Sequence, residues 1–163
     1  YTGTPCSSRE VLVVEDESLV AFELELTLQQ AGYKVVATAA SGEEAVASLE
    51  AHLPDLVLLD IMLQGSYTGI DVAKWLNKTA PHLPIIYLTS QRDAATRDLA
   101  IDTNPAVYLN KPFKSDELLT NMALVLRKAA LDNNLDVELP AAAADNTVTK
   151  EIGRVSYLVM PTG

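Results

Sequence analysis

Short runs of apolar residues, each closed by a polar one, recur along this chain and alternate with segments whose apolar positions fall three or four apart. The runs occupy 11–14, 56–59, 85–88 and 107–109, and the residues that close them are Glu15 and Asp16, Asp60, Thr89, and Asn110 with Lys111. A continuous apolar run of this length reads as a strand buried on both faces. We place strands near 10–15, 34–38, 55–59, 84–88 and 106–110. The second strand, 34–38, has the weakest pattern and belongs toward an edge.

Helical spacing fills the gaps. Over 17–31, Leu19, Val20, Leu24 and Leu28 form a stripe that stops at Gly32. Ser41 with Glu44 three residues on marks the start of a second helix over 42–52, and Pro54 blocks its extension. Further helices fall near 69–80, 92–103 and 115–131. The last has Ser115 as its N-cap candidate and carries Leu118, Leu119, Met122, Val125 and Leu126. Five βα units with short connections predict an α/β fold, a five-stranded parallel sheet covered on both faces.

The pattern changes after Leu131. Asn133-Asn134, Pro140 and four alanines precede a late apolar stretch, Val155 to Val159. We divide the chain into a domain over 9–131 and an extension over 132–163, read as a linker or the truncated start of an output module. The sequence opens at Tyr1 rather than Met, as expected of a fragment or processed form.

Charge narrows the classes of partner. Twelve basic against 22 acidic residues leave −10, which repels a phosphate backbone, so direct nucleic-acid binding is not expected. The single Cys6 allows no internal disulfide and suits the reducing cytoplasm. There is neither an apolar run of about 18 residues nor a signal-like start, so no membrane association is expected.

In a parallel sheet, ligands bind outside the carboxyl ends of the strands, where the closing polar residues would converge. Glu15, Asp16 and Asp60 would repel one another there unless a cation intervened. An all-oxygen set suits Mg²⁺, while Cys6, His52 and His82 offer no zinc spacing. A carboxylate can also act as a nucleophile toward phosphorus, and Asp60, closing the central run, is the best candidate. Lys111 would offset the resulting charge, and Thr89 would offer a hydroxyl to a phosphoryl oxygen.

Together Val13-Val14-Glu15-Asp16-Glu17, Leu58-Leu59-Asp60-Ile61-Met62, Leu88-Thr89-Ser90 and Asn110-Lys111-Pro112-Phe113 resemble the receiver domain of two-component response regulators, in order and in register over about 10–131. The resemblance implies a flavodoxin-like (βα)5 sheet and Mg²⁺-dependent transfer of a phosphoryl group to Asp60 from a histidine kinase or phosphotransfer protein. Glu15, Asp16, Asp60 and the backbone carbonyl of Met62 would hold the metal. Lys111, joined to Pro112 by a cis bond, would pair with the phosphate; Thr89 and Tyr108 would form the switch. The face made by helices 92–103 and 115–131 would pair two phosphorylated receivers into a homodimer.

Three departures from the family pattern stand out. The loop after Asp60 is one residue longer than usual, with Gln64 where proline is frequent, so it should be reshaped. Glu15 replaces aspartate. Met62 and Gln91 occupy the two positions that tune phosphoryl loss. The competing readings are a receiver-like interaction module that is never phosphorylated, and a Mg²⁺-dependent phosphohydrolase. The latter needs a second acid two residues after Asp60, where this chain has Met62. Tyr108 could be strand packing and Thr89 a polar strand end. Trp75 reads as packing, and His52 and His82 as solvated.

Overall fold

Strands and helices alternate strictly along the chain: β1 (Glu10–Val14), α1 (Ser18–Gln30), β2 (Lys34–Ala39), α2 (Gly42–Ala51), β3 (Leu56–Leu59), α3 (Gly69–Thr79), β4 (Ile85–Thr89), α4 (Ala94–Ile101), β5 (Val107–Asn110) and α5 (Ser115–Glu138). The structure, a computed structural model, describes residues 8–90 and 93–138. The strands form one parallel sheet in the order β2-β1-β3-β4-β5. This is the flavodoxin-like order, and its switch point lies between β1 and β3. The chain divides after Leu126 into two units, and the sheet with its strand-end residues lies in the first.

Alternation along each strand sends side chains to opposite faces and so builds two cores. Leu12, Val14, Val57, Leu59, Ile85 and Tyr87 pack with Leu49 of α2, Val72 and Leu76 of α3 and Ala100 of α4. On the other face Val11, Val13, Leu56, Leu58, Ile86 and Leu88 meet Leu24 and Leu28 of α1, and Leu118, Met122 and Leu126 of α5. Burying each such large side chain contributes about 1.5–3 kcal/mol. β1, β3 and β4 are buried on both faces apart from Glu10, whereas β2 lies half-buried at the sheet edge, as its weaker pattern implies.

Several boundaries move. Ser115 is the first residue of α5 rather than its cap, because the Leu118 N–H already donates to the Lys114 carbonyl at 3.1 Å. The same helix runs past Leu131, where the spacing placed its end, to Glu138. Asn and Asp cost only about 0.7 kcal/mol each in a helix and do not stop one. The rest of the predicted extension lies outside the described residues. α4 covers only Ala94–Ile101 of the predicted 92–103, with Arg92 outside the described residues. The chain turns out of it at Asn104, whose φ of 59° is left-handed. Among the described residues no helix is long and apolar enough to cross a membrane.

Candidate functional site

Register brings the polar strand ends together. Val14 lies beside Leu59, so Glu15 and Asp60 are the next residues on adjacent strands. Backbone bonds carry the ladders one step further: the Asp60 N–H donates to the Val14 carbonyl at 3.0 Å, Glu15 to Ala39 at 2.9 Å and Lys111 to Thr89 at 2.9 Å. Each of the three lies two residues beyond Val13, Leu58 or Leu109, which all point to the α1/α5 face. Parity thus delivers two carboxylates and an ammonium to one spot.

They meet there. Lys111 Nζ donates to Glu15 Oε1 at 2.7 Å and to Asp60 Oδ2 at 3.2 Å. The other Asp60 oxygen accepts the Met62 N–H at 3.2 Å, and the other Glu15 oxygen accepts the Glu17 N–H at 3.2 Å. Glu15 is 3% exposed and Asp60 8%. Asp16 completes a set of three carboxylates whose ligand atoms all lie within 4.8 Å of one another.

Three carboxylates against the one ammonium paired with them leave a surplus of two negative charges. At Glu15, burial is the main force that pushes the pKa above the ordinary range; the Lys111 hydrogen bond pulls it back, and the Asp60 charge pushes it up again. For Lys111, burial acts to lower the pKa, but the Glu15 hydrogen bond and the Asp60 charge outweigh it and the ammonium is held above its usual value. An all-oxygen donor set, partly buried and short of positive charge, fits a hard divalent cation.

The supporting parts are local. The Lys111–Pro112 peptide is cis, as the resemblance implies. Thr89 is fully buried at the end of β4, and Tyr108, half-buried in β5, lies beside Tyr87 with ring centroids 6.0 Å apart. The Met62 side chain is 52% exposed beside Asp60. Gln91 lies outside the described residues. His52, predicted to be solvated, is exposed but engages Glu10 at 2.6 Å, at the sheet end where β1 begins.

The loop after β3 lies against α2. Gln64 bridges to Ser41, Gly65 turns with φ 86°, and Tyr67 packs on Gly42 at the first turn of α2. Ser41 caps that helix by accepting the Glu44 N–H at 3.1 Å, and Glu44 reaches back to the Ala40 N–H at 2.8 Å. Two features of α3 escaped the sequence reading. Thr68 and Asp71 form a reciprocal capping box. Gly69 passes so close to Asp60 that a Cβ there would sit 2.0 Å from the Asp60 carbonyl oxygen. The box was legible as Thr-x-x-Asp before an apolar stripe; the close approach was not.

Comparison with known proteins agrees with this geometry. Residues 11–123 match the family model of the response regulator receiver domain. The chain is 33% identical over 124 residues to the alkaline phosphatase synthesis transcriptional regulatory protein PhoP of Bacillus subtilis, covering 76% of this chain and 51% of that protein. It is 38% identical over 122 residues to the transcriptional regulatory protein PdtaR of Mycobacterium tuberculosis, covering 74% and 58%. It thus spans about half the length of the curated relatives it matches. Among solved structures, the signal receiver domain of a modulated diguanylate cyclase from Desulfovibrio desulfuricans G20 is 37% identical with a TM-score of 0.72, over 77% of this chain and 99% of that one.

Proposed function

The chain belongs to the response regulator receiver family, and from that premise we propose that Asp60 is its phosphoacceptor. Receivers are signalling switches rather than classical enzymes: a phosphoryl group arrives on an aspartate and the fold responds. The observation that carries the assignment is that Lys111 Nζ lies within 3.2 Å of both the Glu15 and the Asp60 carboxylates at the strand ends.

A carboxylate oxygen of Asp60 attacks the phosphorus of a phosphohistidine; an O–P bond forms as the N–P bond breaks, and the departing imidazole nitrogen is protonated from solvent. Lys111 already touches Asp60 and offsets charge on the phosphoryl oxygens. Glu15, Asp16, Asp60 and the backbone carbonyl of Met62 would hold Mg²⁺, which would supply Lewis-acid stabilisation of the phosphoryl oxygens. Thr89 donates its hydroxyl to the phosphoryl group, and Tyr108 turns inward with it as the switch. Loss of the group to water is tuned by the side chains at Met62 and Gln91.

The donor is a histidine kinase or phosphotransfer protein. A groove of about 340 Å³ between α1 and the start of α5, lined by Val20, Leu24, Lys111, Phe113 and Leu118, supports its docking, as do Leu19 and Phe22 exposed on α1. Leu99 and Ile101 on α4 and Leu124 on α5 are also exposed, which supports pairing of two receivers through that face. The named relatives are transcriptional regulators, and the charge of −10 supports a role in which these residues do not themselves contact nucleic acid.

Incubation with acetyl phosphate and Mg²⁺, followed by intact mass and released phosphate, tests the reading. A switch accumulates one adduct per chain. Many phosphates released per chain per minute with no adduct would instead indicate the phosphohydrolase.

A further inference from the structure

A second polar contact lies buried on the α4 side of the sheet, away from the acidic site. Tyr87 is fully buried, and its hydroxyl lies 2.7 Å from the Thr103 hydroxyl, itself 2% exposed. Thr103 Oγ1 donates to the Ala100 carbonyl at 2.6 Å, so its proton is committed and Tyr87 is the donor to Thr103. Burial pushes the Tyr87 phenol up to about 12, so that proton stays in place at any physiological pH. The Thr103 carbonyl in turn accepts Asn77 Nδ2 of α3 at 2.8 Å. The Thr103 N–H donates to Ala100 at 3.0 Å and the Asn104 N–H to Ile101 at 2.9 Å, so two backbone amides report on the closure of this turn.

The other end of Tyr87 faces the switch. Tyr87 is two residues before Thr89 on β4 and so shares its face. It is paired in register with Tyr108, and the two rings lie 6.0 Å apart at 58°. Any change of Thr89 or Tyr108 is therefore felt by a rigid ring whose far end holds the exit of α4.

We propose that the Tyr87–Thr103 hydroxyl pair is a latch that closes the C-terminal end of α4, and that phosphorylation of the acidic site opens it through Tyr108 and Thr89. The inference rests on the phosphoacceptor reading. When Tyr108 and Thr89 shift toward the phosphoryl group, the packing that seats the Tyr87 ring loosens and its hydroxyl leaves Thr103. Tyr87 is a positioning residue here and touches neither phosphoryl group nor metal.

Amide hydrogen exchange at residues 102–104, with and without acetyl phosphate and Mg²⁺, tests the latch in wild type, Tyr87→Phe, Thr103→Val and Thr103→Ser. In wild type, phosphorylation speeds exchange at Thr103 and Asn104 by about fivefold, the effect of losing one ordinary hydrogen bond. Tyr87→Phe and Thr103→Val exchange fast already and gain nothing on phosphorylation, although intact mass shows the adduct at the wild-type level. Thr103→Ser, which keeps the hydroxyl, retains the response. A purely structural hydroxyl would raise the baseline in Tyr87→Phe but leave the phosphorylation response intact, and that result overturns the latch alone. So does a wild-type adduct with unchanged exchange. Absence of any adduct on wild type overturns the phosphoacceptor reading and the latch with it.

Discussion

Replacing Lys111 with methionine keeps most of the side-chain volume and removes the charge, leaving Glu15 and Asp60 buried without their cation. Two unit charges no more than 4.8 Å apart, the bound on the acidic set, repel by at least about 3.5 kcal/mol at an effective dielectric of about 20. The chain has one escape, protonation of Glu15, whose pKa burial already raises. Protonating a glutamate of ordinary pKa 4.5 at pH 7 costs about 3.4 kcal/mol, at about 1.36 kcal/mol per pH unit. The cheaper route sets the loss at about 3.4 kcal/mol, in line with breaking a buried pair from one side.

The assay is urea denaturation of wild type and Lys111→Met in EDTA across pH 4.5–8, repeated in excess Mg²⁺. In the variant the folded state holds a proton that the unfolded chain has released above pH 4.5, so stability falls as pH rises from there, and the gap to wild type closes as pH drops to it. Mg²⁺ supplies the missing positive charge and narrows the gap at pH 7. A variant as stable as wild type in EDTA at pH 7, or a gap indifferent to both pH and Mg²⁺, refutes the electrostatic account.

Three further outcomes follow from the geometry. Gly69→Ala needs the backbone at Asp60 to move by about 1.4 Å, from 2.0 Å to an ordinary 3.4 Å contact, so it costs about 3 kcal/mol in chemical denaturation and lowers phosphoryl labelling at Asp60. Thr68→Ala removes one arm of the α3 capping box and costs about 1 kcal/mol, with labelling unchanged. Met62→Asn places a water-orienting amide beside Asp60 and speeds decay of the aspartyl phosphate about tenfold, or 1.4 kcal/mol in the barrier, read by adduct mass against time; an unchanged rate removes Met62 from the tuning role.

The sheet was legible because β1, β3 and β4 are buried on both faces, and burial of that kind leaves uninterrupted apolar runs. The site was legible for a related reason: its charged groups stand one or two residues past the apolar runs of β1, β3 and β5, where parity and register leave little freedom. Less visible was anything set by one backbone meeting another. Gly69 reads as an ordinary helix start until the Asp60 carbonyl is found beneath it. Tyr67 reads as a loop aromatic until it is seen on Gly42. Tyr87 and Thr103 are 16 residues apart with no shared motif, so their hydroxyl bond has no signature in the chain. The end of α5 was misplaced because Asn133 and Asn134 look like punctuation, though neither forbids a helical turn.

The central claim is that Asp60, set against Lys111 and a metal-holding acidic pair, carries the phosphoryl group. Its most direct test is intact mass with peptide mapping of wild type and Asp60→Asn after acetyl phosphate, each with Mg²⁺ and with EDTA. The account predicts one PO₃ unit per wild-type chain, mapped to residue 60 and lost in EDTA, and none on Asp60→Asn. Labelling of Asp60→Asn at the wild-type level, or labelling indifferent to EDTA, contradicts it.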